Sequence, residues 1–176
     1  MRSAGSGSVH AMTFLKRFSQ VINTAAARAA GGPQDGSEYN VLLMVTDGAI
    51  TDMDRTIASI CEASHLNLSI LIIGVGKANF DNMERLDGDD GHMRHPKTGQ
   101  KAARDIVQFV PMRDFAHDTH RLTKELLAEL PGQVCGWMES RGILPRPPVV
   151  QVVASAAVVE QPGGAGTAAE EVVLKE

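Results

Sequence analysis

The stretch YNVLLMVTDGAITDMD, residues 39–54, carries the residues best placed to do chemistry. An unbroken apolar run stops at a carboxylate, Asp47, followed at once by Gly48. A carboxylate leaving a strand end toward water is an oxygen donor for a hard divalent cation, directly or through water, and a glycine behind it lets the backbone turn sharply. The same acid is of the type that caps a following helix, and both roles are open to it. In an open parallel sheet, ligands sit beyond the carboxyl ends of the strands. Thr46, Gly48 and Thr51 around Asp47, with Gly74 and Gly76 at the end of a second apolar run, are therefore the candidate contact residues.

Other candidates carry less. GVGK lacks the GxxxxGK[ST] spacing of a phosphate loop and the third glycine of a dinucleotide site. LDGDDGHMRHPKTG is acidic, but Asp87, Asp89 and Asp90 do not alternate as calcium-loop ligands do, and the twelfth position from Asp87 is Thr98 instead of glutamate. His92 and His95 have the spacing of a ligand pair on a helix, yet Gly91, Pro96 and Gly99 mark a surface loop. Cys61 and Cys135 are far apart, with no CxxC or Cys/His pattern, and Cys61 falls on the apolar stripe of a helix, where a small hydrophobe is expected. No Ser/His/Asp or Cys/His arrangement points to catalysis.

To position these residues the chain must build strands and helices in alternation. VLLMV (41–45), LSILIIGVG (68–76) and DIVQFVP (105–111) are strand-length and rich in branched residues. The first two are apolar at successive positions, as parallel strands covered on both faces are. Between them a helix opens at Thr51 or Asp52 and buries Met53, Ile57, Ile60 and Cys61, giving a βαβ unit. A helix from about Phe14 to Ala30 presents Phe18, Val21, Ile22 and Ala25; a short one covers Phe80 to Leu86. A last helix starts at Asp118 or Thr119 with Leu122, Leu126, Leu127 and Leu130 on one stripe, until Pro131 and Gly132 interrupt it; a turn or two follows through Val134, Trp137 and Met138. The pattern predicts an α/β fold: a partial, doubly wound parallel sheet of about three core strands with flanking helices.

Composition sets limits. The 176 residues are 43% hydrophobic and 22% charged, as in an ordinary globular domain, and the formal net charge of -4 provides no basic field for nucleic acid. Two cysteines fit a reducing compartment, and no run approaches the length needed to cross a bilayer. No acid precedes Asp35, while Arg2, Lys16, Arg17 and Arg28 lie among Ser and Ala, a composition shared with mitochondrial presequences. The reading adopted is a flexible leader over residues 1–17, a folded domain over 18–148 and, beyond the extended LPRPPVV, a disordered Val/Ala/Gly tail over 149–176.

Taken in order, YNVLLMVTDGAITDMDRT, LSILIIGVGKANFDNMERLDGDD, RDIVQFVPMRDF and LAELPGQVCGWMESRGILPRPP resemble the copine family in its C-terminal von Willebrand factor A-like domain, a Rossmann-type fold. The resemblance runs from about Phe18 to Pro148. It implies an A-domain fragment that acts as a protein–protein interaction module in calcium-dependent, phospholipid-linked membrane signalling, not an enzyme. In full-length copines two lipid-binding β-sandwich domains precede it, and nothing in this chain resembles them. The resemblance further implies a cytoplasmic protein with no nucleic-acid partner and no membrane insertion of its own. Intracellular proteins, including full-length copines, are its expected partners, and through them it would reach the plasma membrane. No cysteine-rich segment follows Pro148, unlike the copine-like ubiquitin ligases of plants.

The family also implies a metal-ion-dependent adhesion site taking Mg, Mn or Ca, with Asp47 as one acidic member. This sequence departs from that pattern. No Asp-x-Ser/Thr-x-Ser stretch is present, and Lys16 stands where the pattern has threonine, with Thr13 three residues away. The expected site is incomplete and its metal binding weak. The family sheet carries three further strands, so a truncated domain leaves VLLMV as an open apolar edge. The alternative function is a nucleotide-binding enzyme of half-Rossmann type that uses GVGK and Asp47.

Overall fold

The computed structural model describes residues 17–88, 93–115 and 117–145. The expected leader up to Lys16, the tail over 149–176 and the acidic turn with His92 lie outside the described residues. Elements follow in the order α1 (Phe18–Gly31), β1 (Asn40–Thr46), α2 (Met53–Ala63), β2 (Leu68–Gly74), α3 (Asp81–Asp87) and β3 (Val107–Pro111), then a 3-10 turn (Met112–Phe115), α4 (Thr119–Leu126) and α5 (Leu130–Ser140). The described strands make one parallel sheet in the order β1-β2-β3. Leu43 lies opposite Leu71, and Ile72 opposite Phe109. This is the expected α/β architecture, von Willebrand factor A-like, with the helices as crossovers and cover.

One face of the sheet makes the main core. Alternation along each strand sends Met44, Ile70, Ile72, Val107 and Phe109 to this face, where they meet Phe18 and Ile22 of α1, Ile60 and Ala63 of α2, and Met83 and Leu86 of α3. Ile22, Ile70, Ile72, Met83 and Leu86 are wholly inaccessible. Each such aliphatic side chain contributes about 1.5–3 kcal/mol of transfer free energy, so this face carries most of the stability.

The other face is held by a polar clasp as well as by apolar packing. Trp137 of α5 is buried and takes Tyr39 edge-on, ring centres 6.0 Å apart. Ser69 of β2 donates to Gln133 Oε1 at 2.6 Å and lies 2.9 Å from the Tyr39 hydroxyl. Arg104 completes the clasp: its Nη2 donates to Leu66 O at 2.6 Å, Leu68 O at 2.9 Å and the Tyr39 hydroxyl at 3.1 Å, and its Nη1 to Gln133 O at 3.3 Å. One guanidinium thus ties the start of β2, the segment before β1 and α5 together, using donors that a shorter or single-headed cation lacks.

Three expectations need correction. β1 is not covered on both faces: Val41, Leu43 and Val45 stay 46%, 54% and 48% exposed. Helix α4 ends at Leu126, before Pro131, and Pro131 falls in the first turn of α5, where a missing N–H costs nothing; α5 then runs for 11 residues. Asp52 sits at the N-cap position of α2, but its side chain makes no cap bond to that helix.

Candidate functional site

The carboxyl ends of β1, β2 and β3 form a rim, and its geometry is set by one aromatic ring. Phe80, wholly buried, enters from the loop ahead of α3 and packs against Phe109 with ring centres 5.4 Å apart. A Cβ on Gly74 would stand 2.8 Å from Phe80 Cζ, and one on Gly48 would stand 2.8 Å from Phe80 Cδ1. Gly48 also has φ +90°, a conformation open to glycine at little cost. Both glycines are therefore floor for the ring. Arg113 closes it from outside, its guanidinium 4.8 Å from the ring centre and its Nη1 donating to Ala78 O at 2.7 Å.

Asp47 is half-buried at this rim. Its Oδ1 accepts from Ala49 N at 3.1 Å, a local turn between residues two apart. It caps no helix, because Ile50, Thr51 and Asp52 separate the turn from the start of α2. Thr46 is buried; its Oγ1 accepts from Gly48 N at 3.1 Å and its carbonyl from Val75 N at 2.7 Å, knitting β1 to the end of β2.

The second acid of TDGAITD has a different task. Asp52 Oδ1 accepts from Phe18 N at 3.1 Å, and Oδ2 from Ser19 N at 3.2 Å and Ser19 Oγ at 2.6 Å. The carboxylate thereby satisfies the first donors of α1 and lies at the positive end of that helix. Thr56 Oγ1 adds a fourth bond at 3.3 Å. Burial pushes the Asp52 carboxyl upward, but these bonds from Ser19, Phe18 and Thr56 outweigh it and hold the group below its ordinary value. Beside it lies an open depression lined by Arg17, Thr51, Asp52, Met53, Asp54 and Arg55.

Of the predicted contact residues, Thr51 and Gly76 are exposed, whereas Thr46, Gly48 and Gly74 are buried beneath or beside Phe80. His95 is held in its loop: Nδ1 accepts from Lys97 N at 3.2 Å and Nε2 lies 3.5 Å from Glu62 Oε1. Asp87 Oδ1 accepts from Phe109 N at 2.6 Å, which binds α3 to β3. Cys61 is buried, and burial together with the charge of Glu62 pushes its thiol upward, away from reactivity. Sequence reasoning missed Phe80 and Arg113 as the pieces that fill the rim. The signal was the pairing of two strand-end glycines with a phenylalanine in KANFD.

The family model described as Copine matches residues 12–146. The chain belongs to the copine family. It is 44% identical over 136 residues to Copine-B of Dictyostelium discoideum, 76% of this chain and 26% of that protein. It is 46% identical over 132 residues to Copine-C of the same organism, covering 74% and 24% of the two chains. Against Protein BONZAI 2 of Arabidopsis thaliana the identity is 48% over 129 residues, 73% of this chain and 22% of the relative. The chain thus spans about a quarter of the length of the curated relatives it matches.

A metal centre of the copine A-domain type does not fit the described residues. Among them no group of three or more His, Cys, Asp or Glu side chains converges. Asp47 stands at the rim, while Asp52, the acid closest in sequence beyond the turn, has both oxygens engaged by α1. A divalent cation that sheds part of its hydration shell requires several oxygen donors in return, and one half-buried carboxylate returns too few.

Proposed function

We propose that this copine domain is a protein-docking module and not an enzyme, with its contact surface at the rim around Asp47 and Thr51 and the depression of Arg17, Asp54 and Arg55. The observation that carries the reading is Phe80. In an open α/β sheet the crevice beyond the strand ends is where a small ligand would bind, and here an aromatic ring stands in it with a guanidinium across its outer face. What remains is a shallow surface of mixed charge, suited to a protein partner through rim contacts and hydrogen bonds.

Divalent ions are at most weak ligands in this reading, since Asp47 lacks co-ligands. Partners are intracellular proteins, full-length copines among them. The domain works in the cytoplasm and reaches the plasma membrane through those partners, as part of calcium-dependent, phospholipid-linked signalling. No helix among the described residues is long and apolar enough to cross a membrane.

Calorimetric titration with magnesium, manganese and calcium tests the metal part; stoichiometric binding at micromolar concentration overturns it. A thermal-shift series with ATP, GTP and NAD tests the docking reading against the half-Rossmann alternative. No saturable shift is expected, and one with any of the three would favour a nucleotide enzyme.

A further inference from the structure

The connection from α3 to β3 is long for a fold of this type. Asp87 ends the helix and Val107 begins the strand, so residues 88–106 lie between them, where such connections usually take about 2–6 residues. An ordered connection of that length is uncommon unless it carries a function. From Met93 to Arg104 it is a built hairpin. Arg94 and Lys101 bridge antiparallel, His95 N donates to Gln100 O at 2.8 Å, Gly99 N to His95 O at 2.9 Å and Ala102 N to Met93 O at 3.0 Å. The His95 ring ties the tip, its Nδ1 accepting from Lys97 N at 3.2 Å and from Thr98 N at 3.3 Å, and Arg94 Nη1 donates to Gly99 O at 3.1 Å. At the base, Ala103 N donates to Ser64 Oγ at 2.8 Å and Met93 packs against the main core. Ser64 closes α2 ahead of β2, so the hairpin stands at the amino ends of the strands, opposite the rim.

This hairpin is charged in one sense. Its bases are Arg94, Lys97, Lys101 and Arg104, and no Asp or Glu occurs from Met93 to Arg104, in a chain whose net charge is -4. Arg104 is engaged in the clasp. Arg94, Lys97 and Lys101 are exposed, and among the described residues no carboxylate lies within ion-pair distance of them. The acid that reaches the hairpin, Glu62, faces His95 Nε2 at 3.5 Å. As bridge partners, Arg94 and Lys101 set their side chains on one face, about 5 Å apart at Cβ. Like charges directly opposite each other destabilise a strand pair. Folding therefore gives no reason for this pair, whereas an anion received between them does.

We infer that the hairpin docks an acidic segment of a partner protein, with Asp or Glu side chains of that segment meeting Arg94 and Lys101 on one face and Lys97 at the tip. A finger already ordered by its own bonds loses little freedom on binding. A membrane surface fits less well, because Pro96 to Lys101 holds no large apolar side chain to enter the headgroup boundary. This surface is separate from the rim, and neither reading depends on the other.

Fluorescence anisotropy of a labelled deca-glutamate peptide, titrated with the 176-residue chain at low salt, should show saturable binding that weakens as sodium chloride is added. Lys97→Glu should weaken it about fivefold, and Lys124→Glu, the same charge change on the exposed surface of α4, by less than about twofold. Lys101→Glu sets a carboxylate opposite Arg94. It should weaken peptide binding about tenfold and leave the thermal unfolding midpoint at or above that of wild type. Those opposed readouts separate a lost contact from a lost fold. In cosedimentation with phosphatidylcholine vesicles containing phosphatidylserine, the chain should stay in the supernatant. Absence of saturable peptide binding, equal weakening by Lys97→Glu and Lys124→Glu, or a lower midpoint in Lys101→Glu would each overturn the inference. So would vesicle binding that Lys97→Glu abolishes, since the hairpin would then belong to a membrane surface.

Discussion

Asp52 caps a helix that begins 34 residues before it, and Ser19 closes the bond with its hydroxyl at 2.6 Å. This single carboxylate sets where α1 starts relative to α2, and so fixes two helices over the core face. Ser19→Ala keeps the two backbone bonds and should cost about 0.5–1 kcal/mol, whereas Asp52→Ala leaves the first donors of α1 unmatched and should cost about 1–2 kcal/mol. Chemical denaturation of both variants checks the order.

The same carboxylate makes stability depend on acid. Its value in the folded chain is lowered, against about 3.9 for an unfolded aspartate. A lowered carboxylate contributes stability that is fully present above the unfolded value and is lost as pH falls through the folded one. The unfolding midpoint should therefore drop on acidification below about pH 4. Asp52→Asn should be less stable than wild type at pH 6 and should lose less than wild type on going to pH 3. Equal losses in the two proteins would assign the acid sensitivity to other groups.

Gly74 and Gly48 should behave as packing residues beneath Phe80. Gly74→Ala forces the ring to move and should cost about 1–3 kcal/mol. Gly48→Ala adds left-handed strain and should cost about 1 kcal/mol more. Gly76 also has positive φ, but nothing lies within 4 Å of its added Cβ, so Gly76→Ala reports strain alone. A double-mutant cycle between Gly74→Ala and Phe80→Leu should show coupling, with the glycine change milder once the ring is gone.

The strands were legible because three apolar runs of the right length were separated by amphipathic segments, and βαβ geometry follows from that order. Asp47 was placed correctly at a strand end, yet its turn bond to Ala49 depends on where the chain goes after Gly48. Asp52 looked like a local cap because local capping is what a sequence displays; a partner at Ser19 is a property of the folded chain. The exposure of β1 was partly legible. Apolar residues at successive positions suggested cover on both faces, whereas the half-exposure of Val41, Leu43 and Val45 depends on what packs over that face in the folded chain.

The two thiols should differ sharply. Cys135 is exposed and Cys61 is buried with its thiol pushed upward by burial and by Glu62. A thiolate is the reactive form, so an aromatic disulfide reagent at pH 7.5 should modify one thiol per native chain quickly and both only in denaturant. Cys135→Ser should abolish the fast phase.

Arg104 offers the sharpest test of the second face. Its guanidinium donates to the carbonyls of Leu66, Leu68 and Gln133 and to the Tyr39 hydroxyl, and no aliphatic replacement can serve these four acceptors. Arg104→Ala should cost about 2–4 kcal/mol, the scale of losing several charge-assisted bonds in a half-buried site. Arg104→Lys should recover only part of that, because an ammonium is a point donor where a planar fork is needed. Trp137, the only tryptophan, reports on the same clasp: it packs against Tyr39 and is buried in the native chain. Its emission should shift to longer wavelength in Arg104→Ala before the far-ultraviolet dichroism falls. If emission and dichroism are both unchanged and stability drops by less than about 1 kcal/mol, the clasp does not hold α5 to the sheet.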